Sequence, residues 1–126
     1  MIEVNEYVRT NKGNIGKVVE IRLGFNKDTQ LYQDVYMLDN GLWTILEYIV
    51  KHSKQLIDLI EVGDVIKYKI ENVALETKGY LKGITDISDK EMLRNIRNDK
   101  DYKVLEILTK EQFLANCYKV GGEDGC

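Results

Sequence analysis

Proline is absent from this chain of 126 residues, histidine and tryptophan occur once each, and cysteine twice. Without proline, the turns must draw their geometry from glycine, asparagine and aspartate. A single histidine with Cys117 and Cys126, poorly spaced near the end, makes no zinc ligand set, so no metal and no cofactor are expected. A disulfide between the two cysteines would close only a very small loop and stabilise little, so both are read as free thiols in a reducing compartment. No stretch approaches the roughly 18 consecutive apolar residues of a membrane span. No basic region followed by an apolar run opens the sequence, as a signal peptide would. The expectation is a cytoplasmic protein with no membrane partner. An excess of positive charge is also missing. Eighteen lysines and arginines against 21 acids leave a net charge of −3, which does not mark the whole molecule as a nucleic-acid surface.

What is present is ordinary globular material, 44% hydrophobic and 31% charged, enough for one core or two very small ones and too apolar for long disorder. Its most informative feature is a repeated phrase. Ile2-Glu3-Val4-Asn5-Glu6-Tyr7-Val8-Arg9 returns 58 residues later as Ile60-Glu61-Val62-Gly63-Asp64-Val65-Ile66-Lys67, class for class. Each copy runs from an apolar-acidic-apolar step through a turn residue and an acid into an apolar strand start. The first strand of a small β-barrel commonly begins this way.

Periodicity fills in the rest. Residues 6–10 read as a strand and 11–16 as a turn supplied with glycine. From Lys17 to Leu23 an alternation places Val19, Ile21 and Leu23 on one face. A polar loop over 24–30 leads to a strand at about 31–38, and Asn40-Gly41 signals a hairpin into residues 42–45. Residues 47–60 are ambiguous and are read as a helical turn, a short strand and a connecting segment. Gly63-Asp64 opens a strand with Ile66, Tyr68 and Ile70 inward and Lys67, Lys69 and Glu71 outward. A parity change at Val73 and Leu75 suggests a bulge, and Lys78-Gly79 turns into a strand over 80–87. Ser88-Asp89-Lys90-Glu91 reads as a capping box with Ser88 as the cap, opening a short helix with Met92, Leu93 and Ile96 on one face. A strand follows from Tyr102 to Leu108. Thr109-Lys110-Glu111-Gln112 opens a single helical turn, and Asn116–Val120 is read as a last strand.

Two resemblances follow. Glu6-Tyr7-Val8-Arg9, Gly13 and Gly16-Lys17-Val18-Val19-Glu20-Ile21 resemble the opening hairpin of SH3-like KOW and CarD-type modules. That likeness implies a barrel able to bind nucleic acid or RNA polymerase. The segments Lys51–Asp64 and Ile107–Phe113 look like small uncharacterised phage and prophage proteins of low-GC Gram-positive bacteria. By association, that setting implies an inhibitor or sequestering agent aimed at a host target in an infected or lysogenic cell.

No constellation announces catalysis. The Gly13-to-Gly16 loop is too short for a phosphate loop and enters a strand. His52 and Cys117 have no legible partners, and the acids serve as solvated turns and caps. The informative set is aromatic and cationic. Phe25, Tyr32, Tyr36 and Trp43 cluster on the second hairpin behind Arg22, and aromatics with arginine make a stacking platform for a base or a protein hot spot. The residues leave open whether Trp43 and the tyrosines are core or surface. Arg94 and Arg97, one helical turn apart and followed by Lys100 and Lys103, could clamp phosphates.

The expected fold is β-rich α+β: an SH3-like barrel over 1–58 and a small α+β part over 59–126, with one or two short helices. The two parts could also form one continuous domain. The expected function is a non-enzymatic binding protein, a sponge for a nucleotide immune signal or a sequestering agent for a host defence protein. It would work as a homo-oligomer through Arg22, Tyr36, Trp43, Arg94, Arg97 and Lys100. The rival is a KOW-like nucleic-acid or polymerase-binding module using Arg9, Lys12, Lys17 and Arg22.

Overall fold

In the computed structural model, which describes residues 1–72 and 80–116, the repeated phrase folds the same way twice. Asn5 and Gly63 occupy the same place in it, and both are left-handed, with φ of 78° and 99°. Glycine takes that conformation without steric cost and asparagine tolerates it. The amides of Glu6 and Asp64 then donate back to the carbonyls of Glu3 and Glu61, at 3.2 and 3.1 Å. The acid closes the turn from the other side. Glu6 Oε2 accepts from the Glu3 amide at 2.6 Å, and Asp64 Oδ2 from the Glu61 amide at 2.8 Å. The second oxygen of each reaches a group 46 residues downstream: His52 Nδ1 at 2.9 Å from Glu6 and the Lys110 amide at 3.0 Å from Asp64. Both acids are buried. Burying a carboxylate is tolerable only when its oxygens are bonded in this way.

The chain divides into two compact units, Met1–Leu59 and Ile60–Cys126. In the first, β1 (Tyr7–Thr10), β2 (Ile15–Asn26), β3 (Leu31–Leu38), β4 (Trp43–Ile45) and β5 (Ile49–Ser53) form an antiparallel sheet in the order β4-β3-β2-β1-β5. Short 3₁₀ helices cover Leu46–Tyr48 and Leu56–Leu59. Ile2, Val8, Val18, Tyr36 and Leu38 form the core, with Ile21 and Ile49 packed against them. Arg9 is buried with them, its Nη1 donating to the Leu59 carbonyl at 2.9 Å. The expected closure into an SH3-like barrel is not found among the described residues: β4 spans three residues and pairs only with β3. The expected face of Val19, Ile21 and Leu23 is also corrected. A bulge between Val18 and Glu20 inserts a residue, so Val18 takes the core position and Val19 lies exposed. Strand β2 runs on to Asn26, through the start of the expected loop.

In the second unit β6 (Val65–Glu71) is central, paired antiparallel with β7 (Tyr80–Asp86) and β8 (Tyr102–Leu108). Helices α1 (Lys90–Asn98) and α2 (Lys110–Asn116) precede and follow β8. The opening strand of each unit therefore pairs with the strand after it and with the last strand of its sheet. The last strand of each sheet is bulged opposite the same point of the phrase, with Val50 of β5 unpaired at the Arg9–Thr10 step and Leu105 of β8 at the Lys67–Tyr68 step. Ile66, Tyr68 and Ile70 share one face of β6 as expected, Ile66 fully buried. Tyr68 stacks on Tyr102 at 5.0 Å, above Gly83, where a methyl group would meet the Tyr68 hydroxyl at 2.5 Å. The cap of α1 is Asp89, whose side chain accepts from the Met92 amide at 2.8 Å; Ser88 instead reaches the Met92 sulfur. Thr109 caps α2 through the Gln112 amide at 3.3 Å, and the helix is longer than a single turn. The expected bulge at Val73 and Leu75, the Lys78-Gly79 turn and both cysteines lie outside the described residues, as does all of the expected last strand but Asn116, which belongs to α2. With two antiparallel sheets and two α-helices among the described residues, the protein is β-rich α+β.

Candidate functional site

Two tight turns of the first unit stand side by side and build a groove. The β1–β2 turn is closed by the Thr10 amide to the Asn14 carbonyl at 2.9 Å, the Gly13 amide to the Thr10 carbonyl at 3.0 Å, and the Asn14 amide to the Thr10 hydroxyl at 3.2 Å. Gly13 supplies the positive φ of 81°. The β3–β4 turn is closed by the Leu38 amide to the Leu42 carbonyl at 2.8 Å. It is tied to β2 by Asn40, whose Nδ2 donates to the Ile15 carbonyl at 3.1 Å, and by Asp39, which accepts from the Lys17 amide at 3.0 Å. The third wall is the 3₁₀ helix at Leu46–Tyr48, pinned where the Asn11 amide meets the Tyr48 carbonyl at 2.8 Å. Each wall is thus tied to a neighbour by hydrogen bonds from backbone or side chain.

The space enclosed is about 330 Å³, lined by Thr10, Asn11, Lys12, Asn14, Thr44, Leu38 and Leu42, with Trp43 and Tyr48. That volume is at the small end of ligand pockets. Trp43 is 64% exposed and Tyr48 46%. An indole open to water at the edge of a groove loses apolar hydration whenever a flat ligand covers it, which makes it the strongest anchor here. The amides, hydroxyls and one ammonium around it can fix orientation and take a single negative charge.

The other expected site residues fall in different places. Tyr36 is a core residue, with burial first and Asp34 second raising its phenol above the ordinary range. Its reading as a ligand contact is corrected, since the hydrophobic alternation of β3 turns it inward. Arg22 is exposed and bonded through Nε to Glu20 Oε1 at 2.8 Å, which lowers the carboxyl of Glu20. The ladder sets Arg22 opposite Val35 and Trp43 opposite Met37, so both leave one face of the sheet and Tyr36 leaves the other. Phe25 and Tyr32 pack on each other at 5.1 Å, near the far end of the β2–β3 ribbon. Tyr32 is five strand residues from Met37, the cross-strand neighbour of Trp43, or about 17 Å. The expected aromatic cluster is therefore spread out. Arg94 and Arg97 lie exposed on α1 and Lys100 just beyond it; all three belong to the second unit, whereas the groove is built by the first.

One member of the rival set is buried. Arg9 is fully buried and cannot reach a phosphate, and Lys17 has its ammonium 5.7 Å from the Tyr7 ring. His52 is oriented by Glu6, and Ser53 donates to Asp58 at 2.7 Å. Sequence reasoning missed Tyr48, Asn11 and Asn14, which meet only because a 3₁₀ helix docks on a distant turn. No protein-family model matches the chain, and neither does a curated protein or a solved structure.

Proposed function

We propose that the protein is a non-enzymatic binding protein whose ligand site is the Trp43 groove. The ligand is a nucleotide, with its base on the indole and a phosphate on Lys12. The carrying observation is the exposed indole of Trp43 on a groove of about 330 Å³ that also holds one ammonium. Base-on-aromatic stacking contributes about 1–3 kcal/mol and is tolerant of base identity, and the neighbouring asparagines and threonines add the polar contacts that select among bases. The lining side chains offer no carboxylate, imidazole or thiol, so the groove suits capture better than proton transfer. In the phage setting that the sequence resembles, capture of a nucleotide signal withholds it from a host defence system. A homo-oligomer would multiply the capacity.

The test is native mass spectrometry of the purified protein with a panel of cyclic and linear nucleotides. A retained mass, released intact on heating, lost in Trp43→Ala and kept in Arg94→Ala/Arg97→Ala, is the expected result. It would also give the stoichiometry. No retained nucleotide from the panel would overturn the reading and move the target to a protein.

A further inference from the structure

The second unit carries a feature that the groove does not use. On the face of its sheet turned away from Tyr68, Ile70 and Tyr102, Lys69 of β6 stands opposite Lys82 of β7 and also opposite Lys103 of β8. Neighbouring strands are about 4.8 Å apart, so three ammonium-bearing side chains rise in a line about 10 Å across. Like charges placed directly opposite destabilise a sheet. The register brings this about. From Val65 to Lys67 the β6–β8 ladder follows one register, which if continued would set Val104 opposite Lys69. A bulge in β8, with Leu105 unpaired opposite the Lys67–Tyr68 step, sets Lys103 there instead, and re-aiming a side chain is a common role of bulges.

Compensation among the described residues is slight. Lys69 lies 3.9 Å from Glu71, and Lys67 in the next row 3.6 Å from Glu106, both beyond the 2.7–2.9 Å of a close ion pair. Asp86 is two rows away from Lys82 along β7. Neither Lys82 nor Lys103 has a carboxylate partner among the described residues. The Tyr80 ring sits under two of the ammoniums, 4.7 Å from Lys69 and 5.4 Å from Lys82, and holds them in place. On the same face Ile84 stands exposed in the next row, in line with Lys67 and Glu106, and Leu108 in the row beyond, opposite Val65.

We propose that this face is a binding site for single-stranded nucleic acid. The phosphodiester chain runs along Lys82, Lys69 and Lys103, and the bases turn toward the exposed apolar side chains, Ile84 in the next row and Leu108 in the row beyond. A flexible single strand can present phosphates to one row and bases to the next, which a duplex with its bases paired inside cannot do. The site is independent of the Trp43 groove and stands whether or not that groove takes a nucleotide.

The test is fluorescence anisotropy with labelled oligo(dT) and oligo(U) of about twelve nucleotides, on the full chain, from about 20 to 200 mM salt. Binding at low salt is expected, with log K falling against log salt at a slope of about −2, the value for three phosphates neutralised on a single strand. Lys82→Ala/Lys103→Ala should weaken it at least about tenfold, as expected when most of the phosphate contacts are lost. Trp43→Ala should leave it unchanged. Tighter binding of oligo(U) would identify RNA as the natural source, and tighter or equal binding of oligo(dT) would identify DNA or either strand. No binding at low salt, equal binding of a duplex, or full binding by the double variant would overturn the proposal. Both lysines are exposed, so circular dichroism of the double variant should match the parent.

Discussion

Replacing Asp64 by alanine should be among the most damaging single changes in the second unit. Its side chain is fully buried and accepts two backbone amides, from Glu61 at 2.8 Å and from Lys110 at 3.0 Å. The first bond closes the opening turn and the second anchors the start of α2, so one carboxylate joins the two segments. Removing it leaves both amides without their acceptor, at about 1–3 kcal/mol each. Glu61 and Lys110 are only half-buried, so water can reach them in part. About 2–4 kcal/mol is therefore expected, a large share of the 5–15 kcal/mol typical of a whole domain. Asp64→Asn keeps one acceptor oxygen and turns an NH₂ toward the other donor, for roughly half that loss. The assay is urea unfolding of the full chain followed by far-UV circular dichroism, reading midpoint and slope separately. A change below about 0.5 kcal/mol in Asp64→Ala, the level of an ordinary surface substitution, would refute the assignment of this carboxylate as the clasp of the unit.

Glu6, its counterpart in the first unit, is held below its ordinary value of 4.5 by its hydrogen bond with His52 and then by the Glu3 amide. The folded chain therefore favours the ionised form; its contribution is complete above the ordinary value and is lost as pH falls through the lower folded-state value. Glu6→Gln should accordingly flatten the acid limb of melting temperature against pH while leaving the dependence above that limb little changed. Gly83→Ala places a methyl group 2.5 Å from the Tyr68 hydroxyl and 2.7 Å from its Cζ, and the stack on Tyr102 restrains the ring from moving away. Overpacking of this kind costs about 1–3 kcal/mol, readable as a lowered urea midpoint. Lys103→Ala removes one of the facing like-charge pairs and should raise stability by a few tenths of a kcal/mol at low salt, with the gain vanishing as salt is added.

Much of the strand pattern was legible because local chemistry decides it. Asn40-Gly41 makes its hairpin with Gly41 at a φ of 84°. The alternation of Ile66, Tyr68 and Ile70 against Lys67 and Lys69 is the observed division of faces. The repeated phrase marked two strand starts, though not that Glu6 and Asp64 would each reach a group 46 residues on. The misses came from non-local effects or from near-equivalent local choices. A bulge leaves no composition signal, so Val18 and Val19 exchanged roles. Ser88 and Asp89 are both good caps, and the register of α1 chose the aspartate. Arg9 reads as a surface cation by charge alone, and its burial depends on the Leu59 carbonyl fifty residues away. The groove is half visible in the sequence: Trp43 reads as a stacking candidate, whereas Tyr48 and Asn11 need the fold to reach it.

Trp43 is the single tryptophan of the chain and lines the proposed site, so its emission reports on the groove without a label. The decisive measurement is a titration of that emission with whichever nucleotide native mass spectrometry retains. Stacking of a base on the indole predicts saturable quenching whose midpoint matches the independently measured binding constant and shifts to higher concentration in Lys12→Ala. A nucleotide that binds while the emission of Trp43 stays unchanged would contradict the account, because the ligand would then sit somewhere other than the groove.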